Sequence, residues 1–209
     1  MGLEEMVECI RKVNKGKVKE IIEERIREFE IAGKRSEEDI FSELCFCLLT
    51  ANFKAEESIK IQKEIGSGFL KLSEEMLYKK LRMLSHRYPR ARARYIIEAR
   101  VYRNRLKKLL GSGDGIEIRE WLVKNVKGLG YKEASHFLRN VGFKNLAIID
   151  FHIVDFLVSH KVIERPKYLT KKKYLEIERI LKNIGRRLGL DMARLDLLLW
   201  YMETGRVLK

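Results

Sequence analysis

Val126-Lys127-Gly128-Leu129-Gly130-Tyr131-Lys132 is the stretch on which the reading of this chain turns, and Asp150 follows its lysine by eighteen residues. Upstream, Ile118, Trp121, Leu122 and Val126 fall at helical spacing. Downstream, Ala134, Phe137, Leu138 and Val141 repeat at i, i+3, i+4 and i+7. Two glycines one residue apart between two amphipathic helices predict a tight hairpin, because glycine accepts positive φ and lets a second backbone come close. Such a turn points main-chain N–H groups outward at a helix N-terminus, a ready site for an anion.

Lys132 belongs to the first turn of the second helix, where the positive end of the helix dipole disfavours a cation. That is a mildly poor structural choice and a good chemical one, since a lysine nucleophile must be neutral and needs a lowered pKa. Asp150 follows the apolar run Leu146-Ala147-Ile148-Ile149 and opens another periodic helix carrying Ile153, Phe156 and Leu157. Taken alone, an aspartate there is an N-cap. A hairpin, an early-helix lysine and a helix-opening aspartate in this order make a stronger signal.

The chain has 209 residues, enough to bury a sizeable core without disulfides or metal. With 44 Lys+Arg against 30 Asp+Glu, its net charge of +14 points to a polyanion, and so to salt-sensitive binding of nucleic acid. Charged residues at 35% and the single glutamine, Gln62, also suit a thermophile's surface, so basicity alone decides little. No apolar run approaches the roughly 20 residues that span a bilayer. The opening Met1-Gly2-Leu3-Glu4-Glu5 is acidic, which makes a cytoplasmic, nucleoid-associated protein the expectation. Cys9, Cys45 and Cys47 lack metal-ligand spacing, and the latter two lie in the apolar run Leu44-Cys45-Phe46-Cys47-Leu48-Leu49. No metal site is expected.

Two prolines, Pro89 and Pro166, and little β-branched alternation indicate an all-α protein. Val18, Ile21, Ile22, Ile26 and Phe29 are expected to face inward. Ser36 reads as an N-cap, and the helix it starts turns apolar on every side by Leu44–Leu49, as a helix central to a bundle does. After Thr50-Ala51-Asn52-Phe53, Asn52 reads as the cap of a helix from about Lys54 to Ile65. Gly66-Ser67-Gly68 reads as a loop before a short helix from about Ser73 to Leu84. One long helix is expected after Pro89, with Tyr95, Ala99, Tyr102, Leu106 and Leu109 as its stripe. Arg87, Arg90, Arg92 and Arg94 crowd its start, which suggests a phosphate partner or a solvated face. Gly111-Ser112-Gly113-Asp114-Gly115 reads as a flexible connector. Further helices follow, one with Ile177, Ile180, Leu181 and Ile184, and a last one from Asp191 with Leu195, Leu198, Leu199 and Met202 inward.

From Val126 to Phe156 the chain resembles the helix-hairpin-helix DNA glycosylase/lyase superfamily, whose catalytic lysine and aspartate match Lys132 and Asp150. Leu48-Leu49-Thr50-Ala51-Asn52-Phe53-Lys54 and the C-terminal Leu199-Trp200-Tyr201-Met202-Glu203-Thr204-Gly205-Arg206-Val207-Leu208-Lys209 resemble the archaeal-type, second-class 8-oxoguanine DNA glycosylases in particular. The superfamily's hairpin often has proline where this chain has Lys127, a change that leaves the turn intact and adds a cation for phosphate.

The resemblance implies a two-lobed all-α fold with the active-site cleft between the lobes. Residues 35–143 would form the central lobe, and 1–34 with 144–209 the second, in one catalytic domain. It implies removal of 8-oxoguanine and strand cleavage through a lysine Schiff base. The partner would be double-stranded DNA carrying 8-oxoguanine or an abasic site, bound by a monomer away from any membrane. No cofactor is required, beyond a monovalent cation at the hairpin when DNA is bound. Trp200 would stack on the extruded base, Lys209 would help tell 8-oxoguanine from guanine, and Tyr88 would be an aromatic wall. Asn52 and Phe53 would enter the gap in the duplex, a role compatible with capping. Lys127, Gly128, Gly130 and His152 would meet the DNA backbone. Structural readings stay open for several: Trp200 as core anchor, Tyr88 as packing residue, His152 as a plain structural histidine. A sister glycosylase for oxidised pyrimidines or mismatches is the first rival, opposed by the absence of cluster cysteines after Cys47. A non-enzymatic hairpin DNA binder is the second, and it leaves Lys132 and Asp150 without a joint purpose.

Overall fold

The structure is a computed structural model that describes residues 2–209, and all regular secondary structure among them is helical. In chain order the helices are α1 (Leu3–Val13), α2 (Gly16–Ala32), α3 (Glu37–Thr50), α4 (Ala55–Ile65), α5 (Gly68–Lys71), α6 (Glu74–Met83), α7 (Pro89–Ala99), α8 (Arg103–Gly111), α9 (Gly115–Asn125), α10 (Tyr131–Asn140), α11 (Phe151–Ser159), α12 (Lys171–Leu188) and α13 (Met192–Thr204), with a 3-10 turn at Arg100–Tyr102. The chain divides into two compact units, residues 29–142 and residues 1–28 with 143–209. The division falls inside α2, earlier than the junction at 34/35 drawn from resemblance.

The 29–142 unit is built around α3. Ser36 starts that helix by accepting the Asp39 N–H at 3.1 Å, while Asp39 returns a bond to the Ser36 N–H. Leu44 through Leu49 are all fully buried, and α4, α7, α8 and α10 pack around them. Burial pushes the Cys45 thiol well above its ordinary pKa, so it serves as a small apolar core residue.

In the other unit α1 packs on α12 and α13, and these two pack on each other. A Cβ at Gly185 would lie 2.5 Å from the Met192 methyl and 2.7 Å from the Leu190 carbonyl, so only glycine lets α12 and α13 meet there. Thr170 and Asp191 cap these helices through their side chains.

Several local features depart from the sequence reading, and the first has its cause in a side chain that reaches across the fold. The long helix after Pro89 is broken by the 3-10 turn, where Arg100 donates to the carbonyls of Phe69 at 2.8 Å and Leu72 at 2.6 Å. Those carbonyls end α5, which occupies part of the expected Gly66–Gly68 loop. The glycine-rich connector shrinks to residues 112–114, because Gly111 ends α8 and Gly115 begins α9. Ile21 is exposed, since its neighbour Ile22 takes the inward face with Ile26 and Phe29. Asn52 caps nothing: the N-cap of α4 is Lys54, and Asn52 stands before it at φ +56°.

Candidate active site

The glycine hairpin forms as its spacing requires. Gly128 has φ +91°, and a Cβ there would sit 2.4 Å from the Tyr95 ring, so an aromatic from α7 closes against the turn where a side chain would stand. Lys127 leans the same way. Its Nζ lies 3.5 Å from the Glu98 carboxylate and 5.9 Å from the Tyr95 ring centre, and its side chain stays about half exposed. The hairpin amides are only partly bare. Gly130 N–H donates to the Glu133 carboxylate at 3.1 Å, and Leu129 N–H turns back to the Val126 carbonyl. This is the glutamate half of a capping box, since a glycine at the N-cap has no side chain to return the bond.

Lys132 is the second residue of α10, so its side chain leaves the first helical turn. Its Nζ stands 3.9 Å from Glu133 Oε1, the carboxylate whose other oxygen holds the hairpin. Behind it, Ala134, Phe137 and Leu138 bury the inner face of α10. The amine is thus held between a buried helix face and a capped turn, with a modest ion pair as its polar contact.

Asp150 belongs to the other unit and opens α11. Its Oδ1 accepts the Ile153 N–H at 3.0 Å, while Oδ2 makes no hydrogen bond among the described residues. One oxygen therefore orients the carboxylate, and the second is not committed to the cap. Phe151, next in the chain, is largely exposed. His152 Nδ1–H donates to the Glu203 carboxylate at 2.7 Å, and its ring meets Trp200 edge-on at 5.8 Å. The fold thus brings together two residues that the sequence suggested separately, and adds Glu203, whose role no local pattern announced. The Trp200 indole N–H is buried and has no hydrogen-bond partner among the described residues. Lys209 is half-buried, in the segment that follows α13.

In the unit of Lys132 the fold gathers Asn52, Phe53 and Tyr88. His86 is the link: its Nδ1 accepts the Tyr88 N–H at 3.0 Å, which leaves Nε2–H to donate to the Leu49 carbonyl at 3.0 Å. The Phe53 ring lies on the His86 ring, with centres 4.3 Å apart. Arg92 is buried and donates to the Ala51 carbonyl at 2.6 Å. It is therefore a structural tie, and the expectation that it joins Arg87, Arg90 and Arg94 in meeting phosphate is corrected. Arg90 stacks 4.1 Å over the Tyr78 ring. Burial pushes the His86 imidazole below its ordinary pKa, with the Leu49 bond opposing and the Arg92 charge assisting. Sequence reasoning gave neither His86 nor Arg92 this part, since their partners lie 37 and 41 residues away. No cluster of three or more His, Cys, Asp or Glu side chains that could hold a metal occurs among the described residues.

An all-α fold with a Gly-x-Gly turn between α9 and α10 defines a helix-hairpin-helix protein. Residues 22–190 match the family model described as 8-oxoguanine DNA glycosylase, and the chain belongs to that family. It is 54% identical to the 8-oxoguanine DNA glycosylase/AP lyase of Korarchaeum cryptofilum, with all of both chains covered. With the enzyme of the same name from Methanocaldococcus jannaschii it shares 50% identity over 98% of this chain and 99% of the relative. The crystal structure of the M. jannaschii 8-oxoguanine glycosylase/lyase in complex with a 15mer DNA containing 8-oxoguanine superposes with a TM-score of 0.95 at 49% identity, covering 98% of this chain and 99% of that one. The 8-oxoguanine DNA glycosylase of Thermotoga maritima gives 0.94 at 45% identity, over 99% and 100%.

Proposed function

We propose that this protein excises 8-oxoguanine from double-stranded DNA and then cleaves the strand at the resulting abasic site, with Lys132 as nucleophile and Asp150 as its acidic partner. The observation that carries the reading is the full-length likeness to glycosylase/AP lyases at 44–54% identity. DNA is the partner that the basic composition and the relatives both support.

The damaged nucleotide leaves the stack at a cost of a few kcal/mol. The Lys132 amine then attacks C1′ and the C1′–N bond to the base breaks, its electron pair leaving with the base. Loss of the amine's proton and opening of the sugar ring give a Schiff base. Loss of a C2′ proton then forms the C2′–C3′ double bond as the 3′ phosphate leaves with the C3′–O electron pair, and water later hydrolyses the imine and releases the lysine. The open Oδ2 of Asp150 stabilises the positive charge that grows on the sugar. Two opposite charges about 4 Å apart are worth about 4 kcal/mol at an intermediate dielectric.

The hairpin holds backbone phosphate, with Lys127 adding a cation. The Lys127 and Leu129 carbonyls accept no hydrogen bond among the described residues, so oxygen donors for a monovalent cation are present there. Such an ion would offset phosphate charge, and no catalytic step passes through it. Trp200, Lys209 and Tyr88 contact the base, Asn52 and Phe53 enter the gap that it leaves, and His152 meets the backbone. The protein works as a monomer.

Borohydride trapping on a duplex carrying one 8-oxoguanine tests the reading. Wild type should form a covalent adduct and cleave, whereas Lys132→Gln should bind the duplex and do neither. Cleavage retained in Lys132→Gln would refute the nucleophile, and trapping only on an oxidised-pyrimidine duplex would move the substrate.

A further inference from the structure

We propose that Tyr174 and Glu178 are positioning residues for excision: from α12 they fix the buried, non-helical segment that delivers Asp150. This deepens the reading above and rests on Asp150 being the reactive carboxylate.

Residues 146–149 run buried and without regular secondary structure into Asp150, and no strand among the described residues takes their main-chain groups. Buried N–H and C=O groups must find partners. Here α12 supplies them with side chains. The Tyr174 hydroxyl donates to the Ala147 carbonyl at 2.7 Å and accepts the Ile149 N–H at 3.2 Å. Glu178 Oε1 accepts the Ala147 N–H at 2.9 Å. Tyr174 and Glu178 are one helical turn apart on the same face, and they engage residues 147 and 149, the alternation with which a neighbouring strand would pair. The face of α12 therefore substitutes for an adjacent strand.

The choice of residues argues for more than routine satisfaction. Glu178 is a carboxylate buried to 4% exposure, with Lys182 Nζ 3.9 Å from its other oxygen. A buried charge is costly unless paired and hydrogen-bonded. Together the two side chains hold the residues directly before Asp150, whose Oδ1 is already tied to Ile153. The backbone entry and the cap between them leave the carboxylate little freedom, and Oδ2 is aimed by that constraint.

The test is a double-mutant cycle of Tyr174→Phe with Asp150→Asn, read as single-turnover excision of 8-oxoguanine, with DNA affinity and melting measured alongside. A reactive group displaced from its geometry loses rate more than binding. Tyr174→Phe should therefore slow excision about tenfold while duplex affinity changes less than about twofold. In the Asp150→Asn background it should cost less than about a further twofold, because the two act through one group. Glu178→Gln keeps an acceptor for the Ala147 N–H and should excise at close to the wild-type rate, whereas Glu178→Leu should slow it as Tyr174→Phe does. Excision by Tyr174→Phe within twofold of wild type, or the same loss in both backgrounds, would overturn the proposal. If Asp150→Asn alone excises normally, the reading of Asp150 falls and the positioning argument with it. An unchanged Tyr174→Phe beside a crippled Asp150→Asn overturns the positioning alone.

Discussion

Asp150 divides two duties between two oxygens, and substitutions can separate them. Oδ1 caps α11 through the Ile153 N–H, and Oδ2, which makes no hydrogen bond among the described residues, is the oxygen proposed to act on the sugar. Asparagine caps as well as aspartate does, whereas alanine forfeits about 1 kcal/mol. Asp150→Asn should therefore melt within a few degrees of wild type yet excise far more slowly, and Asp150→Ala should lose both stability and rate. Equal activity in wild type and Asp150→Asn, measured by single-turnover excision, would reduce Asp150 to a cap. Lys132 has no comparable structural duty, since its one ion pair, to Glu133, is long at 3.9 Å. Lys132→Gln is thus the cleaner chemical probe of the two.

At the scale of elements, the loop before α7 is tied to the end of α3 and the loop after it, because His86 bonds the Leu49 carbonyl and stacks on Phe53 while Arg92 of α7 donates to the Ala51 carbonyl. Neutral His86 is needed, since Nδ1 accepts from Tyr88 while Nε2 faces the Leu49 carbonyl. Its folded pKa is depressed below the ordinary 6.5, chiefly by burial. The unfolded chain therefore takes up the proton first as pH falls. The stabilisation is complete above the unfolded value and is lost as pH drops from there through the folded value. Thermal melts from about pH 8 down to about pH 5 should show wild type losing stability below the histidine range. In His86→Gln that part of the slope should vanish, with a lower melting temperature at neutral pH. An unchanged slope would place the acid sensitivity elsewhere.

For the whole molecule the governing quantity is charge. A net +14 predicts that duplex binding is largely release of counterions. Affinity for the lesion duplex should fall about a thousandfold or more between about 50 and 200 mM salt, as for proteins that neutralise roughly six or more phosphates. Binding titrations across that range check it, and a flat response would mean that the positive surface does not meet DNA. Arg92 shows why the charge count overstates the contact count, since that guanidinium is buried on the Ala51 carbonyl.

What the chain determined by itself was whatever depends on neighbours in sequence. Glycine spacing gave the hairpin, apolar periodicity gave α9 and α10, an Asp after an apolar run gave the start of α11, and the all-apolar Leu44–Leu49 marked the core of α3. These follow from helix geometry and backbone sterics, which act over a few residues. Tertiary structure alone decided the rest: the break between α7 and α8, the left-handed Asn52, the tie of His86 to two loops, and the support of the Asp150 segment by α12. Apart from the Asn52 turn, each rests on hydrogen bonds spanning 25 residues or more, such as Ile149 to Tyr174 at 25 and Ala147 to Glu178 at 31. A side chain's partner at that range is set by which buried main-chain groups the packed fold leaves unmet, and no local pattern encodes them.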